Sequence, residues 1–212
     1  MKDWLTIALS KGRLLSESID LLNKMGVFHS ELLTNSRRLM FDIPGQKIRL
    51  LLIRAGDVPT YVEYGAADIG ISGKNILMED DKELFEPLDL KFGHCRIMVA
   101  EPMGSELTRR KNPAKLKIAT KYPHITEKYF SQKGIPVELI KLGGSIELAP
   151  MLGLADQIVD LVSTGATLKA HNLRIVDEIA SSTARLIVNR ASLKLKHKRV
   201  YGLIDEIRRI IS

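Results

Sequence analysis

Hydroxyls, a glycine and a carboxylate fall together in one short stretch, Gln157-Ile158-Val159-Asp160-Leu161-Val162-Ser163-Thr164-Gly165-Ala166-Thr167-Leu168. Ser163, Thr164 and Thr167 carry hydroxyl donors, and Gly165 permits close backbone approach and a positive φ. The apolar run 158–162 predicts a buried strand. A helix starting near Ala166 would aim free N–H groups and the positive end of its dipole into the loop. Strand, small-residue loop and helix N-terminus make a phosphate cradle. Asp160 at its edge suits a ribose diol or a Mg²⁺ shell. The same residues also suit an ordinary strand-to-helix turn, where Ser, Thr and Gly are common. On this stretch alone both readings stand.

Other strand ends carry cations or donors. Lys11-Gly12-Arg13, Arg54-Ala55-Gly56-Asp57 and Ser72-Gly73-Lys74 each follow an apolar run, and Thr120-Lys121 and Gly143-Gly144-Ser145 follow two more. In open α/β sheets ligands bind outside the carboxyl ends of the strands, so these positions share a location as well as a chemistry. Arg offers two-pronged contacts to phosphate, and Lys a point charge. Together they suit a polyphosphate or a pyrophosphate leaving group. Singly, each is an ordinary solvated side chain.

The elements that must hold these residues alternate strand and helix, which predicts parallel sheets in βαβ units. Strands are expected over 5–9, 48–53, 68–71, 88–90 and 95–100, with helices over about 15–25, around Pro59, and over about 75–78. Residues 101–117 contain Pro102, Gly104, Pro113 and the triplet Arg109-Arg110-Lys111, and read as an exposed connection. The alternation restarts with strands over 117–120 and 137–142 and helices over 126–133 and 146–152, before the strand and loop described first. Strands over 174–179 and 185–188 follow, and an amphipathic helix over 203–211 closes the pattern. Two α/β lobes are expected: residues 1–92 with 183–212, and an inserted lobe of 93–182 that carries the hydroxyl-glycine loop.

Composition narrows the classes. The 212 residues are 45% hydrophobic and 27% charged, as in a soluble globular protein. No apolar run approaches the roughly 20 residues of a membrane helix. The sequence opens on a strand pattern rather than a signal peptide, and the one cysteine, Cys95, excludes an intramolecular disulfide and a Cys-based zinc site. Together these favour the cytoplasm. The net charge of +7 suggests an anionic ligand. His29, His94, His124, His171 and His197 lack metal-ligand spacing, so no metal site built directly from protein ligands is expected. There is no Gly-x-Ser-x-Gly elbow, Gly73-Lys74 is followed by Asn75 rather than Ser or Thr, and Gly143-Gly144 falls short of a dinucleotide fingerprint. Asp156 and Asp160 share a strand face, and Glu147 can satisfy a helix dipole. The basic run Lys194-Leu195-Lys196-His197-Lys198-Arg199 has only Tyr201 as a nearby aromatic, which points to a solvated or subunit-facing surface rather than a nucleic-acid patch.

Several blocks carry a resemblance. They are Ile7-Ala8-Leu9-Ser10-Lys11-Gly12-Arg13, Ser36-Arg37-Arg38-Leu39, Arg54-Ala55-Gly56-Asp57-Val58-Pro59-Thr60-Tyr61-Val62-Glu63, and Gly65-Ala66-Ala67-Asp68-Ile69-Gly70. Further along come Ala119-Thr120-Lys121-Tyr122-Pro123, Gly144-Ser145-Ile146-Glu147-Leu148-Ala149-Pro150, the stretch Asp160 through Leu168, and Arg185-Leu186-Ile187-Val188-Asn189-Arg190. In these blocks, which span most of the sequence in order, the chain resembles the short-form ATP phosphoribosyltransferases, enzymes of the first step of histidine biosynthesis. Gly56 departs from the pattern, standing where Ser is expected, but leaves the backbone donor in place.

The resemblance implies a two-lobed fold like the periplasmic binding proteins, with the active site in the interlobe cleft. It implies transfer of the phosphoribosyl group from phosphoribosyl pyrophosphate to N1 of ATP, with inversion at C1 and Mg²⁺ on the departing pyrophosphate. Asp160, Ser163, Thr164, Gly165, Ala166, Thr167 and Leu168 then hold the 5′-phosphate and ribose. Arg13 and Arg37 become the catalytic cations, Lys11 and Arg54 further polyphosphate contacts, and Asp57 and Glu147 polar contacts to ATP. The short form is expected to dimerise alone and to borrow histidine regulation from a histidyl-tRNA-synthetase-like subunit in a mixed octamer. The apolar residues of the closing helix could serve that interface or simply close a core. Two rivals belong to other classes. A solute-binding or effector-sensing module would be expected to bring a secretion signal or a DNA-binding domain. A salvage phosphoribosyltransferase usually has two adjacent acidic residues before its loop, whereas Asp160 is followed by Leu161.

Overall fold

A computed structural model describes residues 4–27, 38–105 and 115–212 of the chain. The chain divides into two compact units, residues 1–93 with 183–212 and residues 94–182. The first unit begins with β1 (Leu5–Ser10), α1 (Leu15–Lys24), β2 (Met40–Ile43) and β3 (Ile48–Ile53). It continues through α2 (Val58–Glu63), β4 (Ile69–Gly73), α3 (Lys74–Asp80) and β5 (Phe85–Asp89). The second unit contains β6 (Cys95–Pro102), β7 (Leu116–Thr120), α4 (Pro123–Gln132), β8 (Val137–Lys141), α5 (Leu148–Met151), β9 (Gln157–Val162), α6 (Ala166–Ala170) and β10 (Leu173–Ser182). The chain then re-enters the first unit as β11 (Ala184–Val188), α7 (Arg190–Leu195) and α8 (His197–Ile211).

Both sheets are mixed, where parallel sheets were expected. The first has the order β2-β3-β1-β4-β11-β5, with β1 parallel to β3 and β4. Strand β2 is antiparallel to β3 because a tight turn over Pro44–Gln46, closed by Lys47 in a left-handed conformation, reverses the chain. Strand β11 enters from the opposite direction and pairs antiparallel with β4 and β5. The second sheet has the order β10-β6-β9-β7-β8, with β9, β7 and β8 parallel, β6 antiparallel to β9, and β10 antiparallel to β6. The parallel strands at each centre still gather their carboxyl ends on one edge, and that is what positions the candidate residues.

Helix boundaries differ from the expected ones for identifiable reasons. The helix expected over 146–152 is a single turn, α5. Pro150 cannot donate an N–H, and Gly153 at φ +70° ends the turn. Helix α4 starts earlier than expected because Pro123 fits its first turn. Helix α7 was not anticipated; Asn189 caps it by accepting the Ser192 N–H at 2.9 Å. At β4 the missing side chain of Gly70 is required by packing. A Cβ there would lie 2.9 Å from Val58 Cγ1 and 2.8 Å from Val62 Cγ2, so α2 could not sit on the strand.

The first unit's core joins β1, β3, β4 and β11 to α1 and α8. Val200, Leu203, Ile204 and Ile207 form the buried stripe of α8, and Ile210 and Ile211 pack beside it. These residues therefore close the core rather than forming an apolar partner surface. Half of the basic run is spent inside the unit as well. Arg199 donates to the carbonyls of Gln46 and Lys47, and Lys196 reaches the Trp4 carbonyl at 2.6 Å and the Asp68 carboxylate at 2.7 Å.

Asp68 is the polar centre of that packing. It is 5% exposed and also accepts the Thr6 N–H at 2.8 Å and the Ser192 hydroxyl at 2.6 Å. One carboxylate thus ties β1, α7 and the start of α8 to β4. Removing one partner of a buried charged network leaves the others desolvated and unpaired, which typically costs 3–5 kcal/mol. Asp68→Ala is expected to lower unfolding stability by about that amount in urea denaturation. Asp205→Ala, which breaks an exposed ion pair with Arg208, should cost less than about 1 kcal/mol. Equal shifts in the two variants would contradict the role given to Asp68.

Candidate active site

In the second unit β9 is paired on both sides, with Ile158 opposite Ala119 of β7 and Ala100 of β6. Its carboxyl end therefore has a fixed position. After Val162 the chain turns through exposed Ser163 and Thr164 and reaches Gly165 at φ +78°, the residue that starts α6. Only glycine takes that left-handed conformation without strain. Leu168, 5% exposed, pins the far side of the loop in a core with Ile146, Ala149 and Val162. A hollow of about 170 Å³ opens here, lined by Glu147, Asp160, Leu161, Val162, Ser163, Thr164, Gly165, Thr167 and Leu168.

Of the residues expected to hold phosphate and ribose, the structure gathers all but Ala166 around this hollow. Leu168 contributes an anchoring side chain rather than a polar contact. The dipole argument needs correcting, because α6 is five residues long and a dipole grows with aligned peptides. What the loop offers an anion is individual N–H and hydroxyl donors. Thr164 Oγ1 lies 3.4 Å from the Ala166 N–H, too long for a strong bond.

Asp160 is half-buried, and its Oδ1 accepts the Leu161 N–H at 2.8 Å. Burial holds its pKa above the ordinary carboxylate value, and the negative charge of Glu147 pushes the same way. The Leu161 N–H and the cation Lys121 oppose that shift. Lys121 is thus electrically part of the site. It was legible only as one strand-end lysine among several. Thr120, named beside it, is fully buried and structural. Its hydroxyl donates to the Val159 carbonyl and accepts the Tyr122 N–H, both at 2.9 Å. Gly143, Gly144 and Ser145 are exposed, and none of them lines the hollow.

In the first unit the ends of β1 and β3 lie side by side, since Ser10 is in register with Ile53 and the Lys11 N–H donates to the Ile53 carbonyl at 2.7 Å. This brings the exposed residues Lys11, Arg13, Arg54 and Asp57 to one sheet edge. Arg13 Nη1 donates to the Gly93 carbonyl at 2.7 Å, which orients its guanidinium. The neighbouring end of β4 does not join them. Ser72 is buried, and Lys74 is held by Glu86 at 2.9 Å. Arg37 lies outside the described residues.

A raised folded-state pKa at Asp160 means the folded chain binds a proton more readily than the unfolded chain. Its charge therefore opposes folding, and that penalty sets in as pH rises above the ordinary carboxylate range. Asp160→Asn keeps an acceptor for Leu161 and removes the charge. The variant should have a higher urea midpoint than the parent near neutral pH, with the gap closing as pH falls through the acid range. A gap independent of pH would show that the charge is not responsible.

Comparison with known proteins bears on the family and the fold. The family model described as HisG: ATP phosphoribosyltransferase matches residues 54–209. A protein of Geobacter metallireducens named ATP phosphoribosyltransferase is 58% identical over 208 residues, 97% of each chain. One of the same name from Caldanaerobacter subterraneus is 46% identical and covers 99% of each. Among solved structures, the ATP phosphoribosyl transferase (HisG:HisZ) complex from Thermotoga maritima contains a chain that is 35% identical, with a TM-score of 0.83 over 98% of both chains. The periplasmic aliphatic sulphonate binding protein SsuA from Escherichia coli, 16% identical, matches with a TM-score of 0.62 over 97% of this chain and 71% of its own. That second likeness shows a shared periplasmic-binding-protein-like α/β fold and nothing about chemistry. By sequence and by fold, this chain belongs to the ATP phosphoribosyltransferase family.

Proposed function

We propose that the chain carries out its family's reaction, transfer of the 5-phosphoribosyl group from phosphoribosyl pyrophosphate to N1 of ATP, with the hollow after β9 as the phosphoribosyl site. The observation that carries this is a loop of hydroxyl and N–H donors turned by a left-handed glycine beside two carboxylates. Donors suit the 5-phosphate, and carboxylates suit the sugar. A salvage enzyme's adjacent acidic pair is not present here, and the family match covers the whole loop.

The chemistry then follows from charge. As the glycosidic bond lengthens, C1 gains positive character and the departing pyrophosphate gains negative charge. Cations already in place stabilise that charge without reorganising, usually the largest electrostatic contribution to rate. Arg13 and Arg37 are assigned to the leaving group, Lys11 and Arg54 to further polyphosphate oxygens, and Asp57 to ATP. Holding two polyanionic substrates at attack distance is the other contribution. Among the described residues no cluster of three or more His, Cys, Asp or Glu side chains could hold a metal ion. A Mg²⁺ ion carried in on substrate oxygens fits such a site, and when bound it neutralises part of the pyrophosphate charge.

The reading extends to histidine biosynthesis in the cytoplasm, a homodimer of the isolated chain, and a mixed octamer with a histidyl-tRNA-synthetase-like regulatory subunit. Support for a partner is the Thermotoga maritima structure, a HisG:HisZ complex. Among the described residues no helix is long and apolar enough to cross a membrane.

The reaction is tested by mixing purified protein with ATP, phosphoribosyl pyrophosphate and Mg²⁺, adding pyrophosphatase to pull the equilibrium, and following phosphoribosyl-ATP by absorbance. No product at high enzyme concentration would refute the assignment. Gly165→Val should weaken phosphoribosyl pyrophosphate binding at least about tenfold while the chain stays folded. A Cβ at Gly165 would meet only Val162 Cγ1, at an ordinary contact of 3.9 Å, which leaves the backbone conformation as the cause: a β-branched residue at that φ costs on the order of 1–3 kcal/mol. Unchanged affinity would remove the loop from the site. Arg13→Ala and Arg37→Ala should each lower single-turnover rates by about 10²–10³ with smaller changes in KM. Rates equal to the parent in both variants would take these arginines out of the mechanism.

A further inference from the structure

Arg13 is exposed at its sheet edge, where a long side chain is free to sample many rotamers. The residue that holds it is buried. After β5 the chain stays paired with the start of β11 as far as Phe92. The Leu90 N–H donates to the Ala184 carbonyl and the Ala184 N–H to the Phe92 carbonyl, both at 2.9 Å. Gly93 comes next, buried and at φ +65°. A buried residue needs partners for both of its main-chain groups. Two side chains from the start of α1 supply them. Arg13 Nη1 donates to the Gly93 carbonyl at 2.7 Å, and Glu17 Oε1 accepts the Gly93 N–H at 3.2 Å.

The two side chains are one helical turn apart, and what lies between them sets their places. Leu14 is 5% exposed in the first unit's core. Its carbonyl accepts the Ser18 N–H at 3.0 Å and the Ser18 hydroxyl at 2.6 Å, which fixes the first turn of the helix. Gly93 presses directly on Leu14. A Cβ on Gly93 would lie 2.1 Å from Leu14 Cδ2, so only glycine brings its main chain within reach of both neighbours. Glu17 also sits in the first turn of α1, where the helix dipole favours a negative charge.

We infer that Glu17 is a positioning residue for Arg13: it holds the N–H of the one residue whose carbonyl holds the guanidinium. This rests on the reading of Arg13 as a cation for the leaving pyrophosphate. A guanidinium is planar, so fixing one Nη1 fixes the directions of its other N–H donors. A cation aligned before substrate arrives stabilises developing charge without reorganising. Glu17 is itself an anion beside a site for polyanions, and its charge opposes their binding. Its contribution therefore falls on rate and not on affinity.

Single-turnover rates and KM for phosphoribosyl pyrophosphate test this in the parent, Glu17→Ala, Glu17→Gln, Arg13→Ala and the double variant Glu17→Ala with Arg13→Ala. Glu17→Ala should slow single turnover about tenfold, less than Arg13→Ala does, with KM unchanged or lowered. Glu17→Gln keeps an Oε1 acceptor for Gly93 and should stay within about threefold of the parent. Added to Arg13→Ala, the Glu17→Ala change should cost less than about a further twofold, because its effect passes through the arginine. The Arg13 Nε–H signal of isotope-labelled protein should lose order in Glu17→Ala and keep it in Glu17→Gln. Should Glu17→Ala not fold, Glu17→Asp, whose shorter side chain draws back from Gly93, takes its place. Contacts that only satisfy a buried glycine would give equal slowing with and without Arg13, and that result overturns the inference. So does a Glu17→Ala rate equal to the parent, a Gln variant as slow as the Ala variant, or a rise in KM without slower turnover. A parent-like rate in Arg13→Ala would instead remove the leaving-group reading of Arg13, and the positioning role with it.

Discussion

The polar chemistry of the second unit depends on one backbone constraint, the left-handed turn at Gly165. Without it the chain leaving β9 would not present the hydroxyls of Ser163, Thr164 and Thr167 around the same hollow as Asp160. The turn is not held by a strong hydrogen bond of its own. It is held from both sides, by the doubly paired strand before it and by Leu168 buried after it. On the proposed reading, a loop anchored on both sides suits an anion, because fixed dipoles stabilise charge best when they are already in place.

The second unit also carries a local cost. Asp160 is half-buried, lies within the field of Glu147, and is relieved only in part by Lys121 and the Leu161 N–H. Elsewhere in the same unit a carboxylate is treated very differently. Asp177 is only partly exposed and is bound by Lys133 and Tyr129, and its pKa is held down to about 2. The first carboxylate is left wanting donors and the second is fully supplied. On the proposed reading, Asp160 is the group kept for a substrate and Asp177 a surface staple. In the first unit the buried charge is likewise satisfied from within, by Thr6, Ser192 and Lys196 around Asp68.

Much of this was legible in the residues. The strand of β9, the small-residue loop after it and the start of α6 follow from an apolar run ending in Ser-Thr-Gly. The cationic edge made by Lys11, Arg13 and Arg54 follows from placing arginine and lysine after parallel strands. What could not be read depends on long-range pairing. Nothing local reports that β11 returns antiparallel, that Lys74 is taken by Glu86, or that Lys196 serves Asp68. Thr120 was misjudged because its hydroxyl has the right type at a strand end, yet points into the contact between β7 and β9. The helix over 146–152 was overestimated because Pro150 and Gly153 counted for less than the apolar spacing. The apolar residues of α8 left two readings open, and only packing into the core beside α1 and β5 decides for the core.

The claim on which the rest stands is that main-chain and hydroxyl donors at 163–167 bind the phosphate of a phosphoribosyl group. Amide resonances of the isotope-labelled chain, followed while phosphoribosyl pyrophosphate is added, test it without relying on turnover. The account predicts that the amides of Thr164, Gly165, Ala166 and Thr167 move first and farthest, saturating together with the binding isotherm. Saturation of binding with these amides unmoved, and the shifts confined to other parts of the chain, would contradict it.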